Sequence, residues 1–144
     1  MRVLIQRSGK SSVMVGEEVV GKINQGLVVF VGFTDGDTIE TIQYLVKKIV
    51  NLRIFPDEDG IMNRSILDYG GSILSVSQFT LYANCTKGNR PSYIEAMNNH
   101  EAKTFYSLFN EELEKYVEVQ TGSFGADMEV SITNIGPTTI TLER

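Results

Sequence analysis

The sequence predicts an α/β fold of the α+β-like kind: mixed β-sheets with two main helices packed on one side. Three observations carry that expectation. Leu27 to Val31 is a continuous apolar run, which suits a strand buried on both faces. Ile42, Leu45, Val46 and Ile49 recur at helical spacing, and so do Ala102, Phe105, Phe109, Leu113 and Tyr116. Short β-rich runs surround both helical stretches, and no linker, low-complexity tract or repeat interrupts them. One domain over residues 1–144 is therefore expected.

The elements follow in order. Val3 to Ile5 and Val13 to Val15 read as short strands, and Gly16-Glu17 as a hairpin turn into Val19-Val20. Gly26 opens the apolar strand, and Asp35-Gly36-Asp37 stops it. Asp37 with Glu40 three residues on resembles a capping box at the start of the first helix. Pro56 to Gly60 is a turn cluster, and Gly70-Gly71 introduces a strand from Ile73 to Val76. Residues 83–97 form a long polar connection, the kind of segment that often carries function. The second helix starts near Asn98 or Asn99. Two antiparallel strands, roughly Met128 to Thr133 and Thr139 to Leu142, are expected to close the chain around Gly136-Pro137.

Composition narrows the function classes. With 144 residues, 42% hydrophobic and 22% charged, the chain reads as a soluble globular domain. At that length it can bury roughly 68–70% of its unfolded surface, so a stapling disulfide or metal is not required. No apolar run approaches the ~18 residues of a membrane span. The start, Met1 to Arg7, turns polar too soon for a signal-peptide core. The single cysteine, Cys85, fits a reducing compartment, so a cytoplasmic location is expected. A net charge of −5 argues against coating long stretches of nucleic acid. A local patch for one end of an RNA is still compatible with it, from Arg7 with Lys10 or Lys87 with Arg90; singly, each group reads as ordinary solvated charge.

Several chemistries are disfavoured by the residues present. His100 is the only histidine and stands at a helix start, which makes a Ser-His-Asp arrangement improbable. One Cys and one His cannot supply a thiolate–imidazole zinc site, and neither GxxxxGK[ST] nor GxGxxG occurs. Asp57-Glu58-Asp59 reads as solvated charge in a turn. No metal and no cofactor is expected.

Two segments stand out. Ser77-Gln78-Phe79-Thr80-Leu81-Tyr82 puts two hydroxyls and a carboxamide at the end of a strand. If it stays extended, Gln78 and Thr80 share a face opposite Ser77; if the chain turns after Val76, Ser77 and Thr80 can meet. On chemistry alone these hydroxyls read as strand-end capping, since an unassisted hydroxyl is a weak nucleophile. The second segment is Asn134-Ile135-Gly136-Pro137-Thr138-Thr139. Pro137 at the second central position of a turn is disfavoured in a type I turn but required, as cis, in a type VI turn; a longer loop with trans-Pro is the other reading.

Ser77 to Tyr82 resembles the SQFTL signature of the D-aminoacyl-tRNA deacylases, and Asn134 to Thr139 resembles that family's NxGPxT signature. Ile5-Gln6-Arg7, Arg53-Ile54-Phe55, Met62-Asn63, Gly71-Ser72, Gly88 to Ser92 and Thr121 to Met128 are similar to family positions, in family order. One departure is Thr138, where the family usually has Val or Phe; it touches fine pocket shape only.

The resemblance implies a layered α/β/β fold, hydrolysis of the D-aminoacyl ester of tRNA and of glycyl-tRNA, and rejection of L-esters. It implies a homodimer with each active site completed across the interface, binding the CCA end of aminoacyl-tRNA, with no membrane. Ser77, Gln78, Phe79 and Thr80 are the implied catalytic residues. Gly136 and Pro137 are implied to form a Gly-cis-Pro pair whose carbonyls reach the partner's site, take the substrate amino group and exclude L side chains. Arg7, Asn134 and Thr139 are implied supports. The other reading is a non-catalytic, nucleic-acid-binding dimeric module.

Overall fold

The computed structural model describes residues 1–144. Its organising element is β1 (Arg2–Val15), a strand long enough to have three partners. β2 (Glu18–Ile23) pairs antiparallel with its second half, β3 (Gly26–Gly32) with its first half, and β8 (Glu129–Glu143) along most of its length. The sheet continues through parallel pairings of β3 with β6 (Ser72–Ser77) and of β6 with β7 (Val119–Thr121). It then curls until β2 meets β7. A Cβ on Gly21 would lie 2.5 Å from the Thr121 carbonyl oxygen, so glycine is what permits this near-closure into a barrel.

Alternation along β3 separates two cores. Leu27, Val29 and Val31 face a helix-covered core with Met1, Val3 and Ile5, while Val28 faces a smaller one with Val13, Ile23, Leu74 and Val76. The layers are thus helices, central sheet and curled-over strands. The apolar run read from the sequence is buried on both faces.

Helix α1 (Ile39–Asn51) buries Ile42, Leu45, Val46 and Ile49 as their spacing predicts. Its cap differs from the expectation. Thr38 and Thr41 make the capping box, because the Asp37 carboxylate accepts instead from the Thr34 N–H at 2.9 Å and the Met1 ammonium at 2.6 Å. Helix α3 (Asn99–Glu114) starts from its cap Asn98 as expected, but its buried face is rotated. Tyr106 and Asn110 are buried with Ala102, Phe109 and Leu113; Phe105 is half-buried at the rim, and Tyr116 lies past the helix end, 44% exposed. The Tyr106 hydroxyl donates to the Ser75 carbonyl at 2.8 Å, fixing α3 to β6, and burial pushes that phenol's pKa up.

Short elements join these parts. β4 (Phe55–Pro56) and β5 (Met62–Arg64) form a separate two-stranded sheet around the predicted turn. A short helix α2 (Ile66–Tyr69) follows, capped by Ser65 and ended by Gly70 at φ +81. β4, β5, α2 and β7 were not anticipated from the sequence. The two expected antiparallel closing strands are a single strand: β8 runs through Gly136-Pro137 and finds its partner in β1.

Candidate active site

The register of β8 against β1 explains the shape of the Gly-Pro segment. Gln6 pairs with Thr139 and Ser8 with Asn134, so five steps of β8 stand against two of β1. The surplus chain must leave the ladder, and it does so as an exposed turn at Ile135 to Pro137 with a cis Gly136-Pro137 bond. The extended-loop alternative with trans-Pro is thereby set aside.

Arg7 is the β1 residue facing that surplus. Its Nε donates to the Ile135 carbonyl at 3.3 Å, Nη2 to the Gly136 carbonyl at 3.0 Å and Nη1 to the Ile54 carbonyl at 2.7 Å. A planar guanidinium suits this task, because one rigid group reaches three acceptors. Asn134, with its amide turned to match its neighbours, donates to the Thr138 and Arg7 carbonyls, each at 3.2 Å. Gln6 Nε2 donates to Thr139 Oγ1 at 3.3 Å. Thr138, the departure from the family pattern, is buried and directs its hydroxyl to Met62 Sδ at 3.6 Å.

Gly136 has no reason within its own chain to be glycine. Its φ is not positive, and a Cβ built on it meets nothing within 4 Å. Beside the turn lies a cavity of about 400 Å³ lined by Arg7, Ser8, Phe55, Met62, Tyr69 and Pro137, among others. The stacked rings of Phe55 and Tyr69, 4.4 Å apart, form one wall.

The other segment turns, as the second of the two sequence readings allowed, but beyond Ser77 and not directly after Val76, and the hydroxyls of Ser77 and Thr80 share no hydrogen bond. β6 ends at Ser77, and the Gln78 N–H donates to the Val31 carbonyl at 2.7 Å. A 3-10 turn then runs from Phe79 to Tyr82. Gln78 Nε2 donates to Thr80 Oγ1, so the carboxamide and the Thr80 hydroxyl are the pair brought together. The N–H groups of Phe79 and Thr80 open the turn and have no acceptor inside it, which leaves them able to serve an incoming oxyanion. Phe79 is 53% exposed and packs edge-on against Tyr93 at 5.0 Å.

Two supports of this turn escaped the sequence reading. Gly32 ends β3 directly beneath it, and a Cβ there would stand 2.8 Å from the Gln78 carbonyl oxygen. Arg2 donates from Nη1 to the Leu81 carbonyl at 3.1 Å, lies 4.5 Å over the Tyr82 ring and pairs with Glu143 at 3.0 Å. Burial pushes the Tyr82 phenol far up, and the Asp37 carboxylate adds to the shift, so it stays a neutral packing group. The only sequence signal for either residue was its place at a strand end.

The two segments do not meet within one chain. Ser77 pairs with Val31, Val31 with Val3 and Val3 with Leu142, so Ser77 and Leu142 share a row across the sheet. Pro137 lies five residues further along β8, three strand spacings to the side. Spacings of ~4.8 Å between strands and ~3.4 Å per residue put the two segments roughly 20 Å apart.

Comparison with known proteins agrees in sequence and in fold. The family model for D-Tyr-tRNA(Tyr) deacylase matches residues 4–143. A D-aminoacyl-tRNA deacylase of Brevibacillus brevis is 51% identical over 144 residues, covering 99% of both chains. One of Thermus aquaticus is 52% identical over 144 residues, covering 99% of this chain and 95% of its own. Among solved structures, the c-Myc DNA Unwinding Element Binding Protein superimposes with a TM-score of 0.95 at 41% identity, covering 100% of this chain and 99% of its own. A structure described as a probable eukaryotic D-amino acid tRNA deacylase gives a TM-score of 0.83 at 18% identity over 98% of this chain and 97% of its own, a likeness of fold.

Proposed function

The chain belongs to the D-Tyr-tRNA(Tyr) deacylase family, hydrolases acting on an ester bond, and from that premise we propose that it frees tRNA of D-amino acids as a homodimer. In this reading one deacylase domain, residues 1–144, contributes the Ser77–Thr80 turn of one site and the Gly136-Pro137 turn of the other. The observation that carries it is the pairing of distance with an unexplained glycine. Two braced turns, the Gly-Pro one exposed and the other half-buried apart from Phe79, stand roughly 20 Å apart in one chain by strand geometry, and Gly136 has open space around its Cα. A glycine in open space fits a group arriving from another molecule.

In the assembled site the ester carbonyl lies over the 3-10 turn. The Phe79 and Thr80 N–H groups take up the developing oxyanion; the Gln78 N–H is already committed to Val31. Ser77 and Gln78 line the pocket. No base is paired with Thr80, whose hydroxyl accepts from Gln78. Water is therefore the nucleophile. Its oxygen bonds to the carbonyl carbon, the bond to the ribose oxygen breaks, and that oxygen leaves with a proton, assisted by the neighbouring 2′-hydroxyl. The products are the free D-amino acid and tRNA.

Chirality is decided by main-chain atoms. The carbonyls of Gly136 and Pro137 of the partner subunit accept from the substrate α-amino group and occupy the direction of an L side chain. The Gly136 carbonyl already accepts once from Arg7 and keeps a second lone pair for this purpose. A backbone wall ignores side-chain identity, so many D-residues are cleared, and glycyl-tRNA, with no side chain to exclude, is cleaved too. No helix is long and apolar enough to cross a membrane; the enzyme is assigned to the cytoplasm, where its substrate is.

The likeness to the c-Myc DNA Unwinding Element Binding Protein favours a second reading, a dimer that binds nucleic acid without turnover. Complementation separates the two. Gly136→Glu spoils one turn and Thr80→Arg the other, and a mixed dimer retains one site with both turns intact. Activity on D-Tyr-tRNA is expected to be absent from each variant alone and to reappear on co-expression. An active wild type with a dead mixture contradicts the shared site; wild-type binding without hydrolysis selects the second reading.

A further inference from the structure

The chain carries a net charge of −5, yet one helix face collects unpaired cations around an aromatic ring. Tyr44, Lys47, Lys48 and Asn51 follow at i, i+3, i+4 and i+7 along α1 and line a shallow depression of about 290 Å³. All four are exposed. The guanidinium of Arg144 lies 3.9 Å over the Tyr44 ring, and Lys48 Nζ stands 5.7 Å from the same ring centre.

None of these three cations is spent on a carboxylate. The ion pairs of the structure involve Met1, Arg2, Arg64 and Lys115. Glu143, beside Arg144 in sequence, is taken by Arg2. Glu40 is the only acid in α1 and sits a turn nearer its N-terminus than Tyr44. Elsewhere Arg7 and Arg53 give their guanidinium donors to main-chain carbonyls. Arg7 is therefore not the free cation that the sequence patch with Lys10 required.

Position matters as much as charge. The Arg144 N–H donates to the Met1 carbonyl at 3.1 Å, and Arg2, the next residue, donates to Leu81 within the 3-10 turn. The stripe therefore begins at the end of the sheet where the ester site lies and leads away along α1. Resting on the deacylase reading above, we infer that Lys47, Lys48 and Arg144, with Arg144 held over the Tyr44 ring, bind the phosphates of the tRNA acceptor stem while the ester occupies the Ser77–Thr80 turn. An acidic protein would thereby hold a polyanion through one local cationic track.

The test compares two substrates of the dimeric enzyme, D-Tyr-tRNA and D-tyrosyl-adenosine, which has the ester and ribose but no stem. The triple variant Lys47→Glu, Lys48→Glu, Arg144→Glu is expected to raise KM for D-Tyr-tRNA about tenfold or more, with kcat and the rate on D-tyrosyl-adenosine unchanged. The slope of log(kcat/KM) against log salt should become shallower by about 2, from the loss of roughly three phosphate contacts. Lys22→Glu, a reversal at an exposed site on β2, should change neither substrate. Equal loss on both substrates, or no loss on tRNA, overturns the inference. If the wild type hydrolyses neither ester, the deacylase reading fails by itself. Direct tRNA binding by wild type and triple variant then judges the stripe: equal affinities overturn it, and a tenfold loss upholds it.

Discussion

Arg7 donates to the carbonyl of Gly136 at 3.0 Å from the point on β1 that faces the surplus of β8. The strand mismatch creates the turn, and the guanidinium opposite the mismatch aims it. Removing that side chain should leave the β1–β8 ladder in place and let the turn wander. Arg7→Ala is expected to lower kcat/KM on D-Tyr-tRNA by roughly ten- to hundredfold, about 1.4–2.7 kcal/mol of transition-state stabilisation. Arg7→Lys should rescue little of it, because a single ammonium cannot span Ile54, Ile135 and Gly136. Steady-state kinetics of both variants, with circular dichroism to confirm the fold, checks this.

Gly136→Ala separates stability from function. The added methyl meets nothing within 4 Å in its own chain, so the melting temperature should stay within about 2 °C of wild type. In the proposed shared site the same methyl would stand beside the substrate amino group. Activity on the D-ester is expected to fall at least about a hundredfold, a cost near 2.7 kcal/mol. A variant that keeps full activity would remove the reason for a glycine there.

Gly32→Ala should damage both. Its Cβ would lie 2.8 Å from the Gln78 carbonyl oxygen and 3.3 Å from Leu81 Cβ. The 3-10 turn must shift, at a cost of about 1–3 kcal/mol for an overpacked site. Urea unfolding should register the loss, and the D-ester rate should drop with it.

Thr80→Ala tests whether the hydroxyl attacks. With water as nucleophile and Thr80 as a positioning group, a residual rate about one-tenth to one-hundredth of wild type is expected. Complete loss of turnover with substrate binding retained would make Thr80 the nucleophile.

Acid should loosen the segment from Asp57 to Asp68, which contributes Gly60 and Met62 to the lining of the Gly-Pro cavity. The Ile61 N–H holds the Asp57 carboxyl below its usual range, and the Ser65 hydroxyl does the same for Asp68. Both pKa values are depressed on folding. The stability they contribute is therefore complete above the ordinary value of 3.8 and is lost as pH falls through the lower folded values. Melting temperatures measured between pH 5 and roughly pH 2 should show this loss, and Asp57→Asn with Asp68→Asn should flatten that part of the curve.

What could be read from the sequence follows the reach of each interaction. β3 and the buried face of α1 rest on local periodicity, and both appear as read. The capping box shifted by one residue because Asp37 had a distant partner, Met1, that no local pattern reveals. In α3 the adjacent aromatics Phe105 and Tyr106 left the face ambiguous, and the Ser75 carbonyl on β6 selected Tyr106. Two β-runs around Gly-Pro read naturally as a hairpin. Only the long-range pairing with β1 makes them one strand with a braced excursion. The two signature segments were legible as the places where the chain makes its two braced turns; their supports Gly32 and Arg2 were not, because each acts on a turn far away in sequence.

The most direct test is hydrolysis of D-Tyr-tRNA beside L-Tyr-tRNA by chelator-treated protein. The account predicts release of tyrosine from the D-ester with the L-ester spared. Cleavage of both esters at similar rates would contradict the role of the Gly136-Pro137 wall. Cleavage of neither would contradict the enzyme itself.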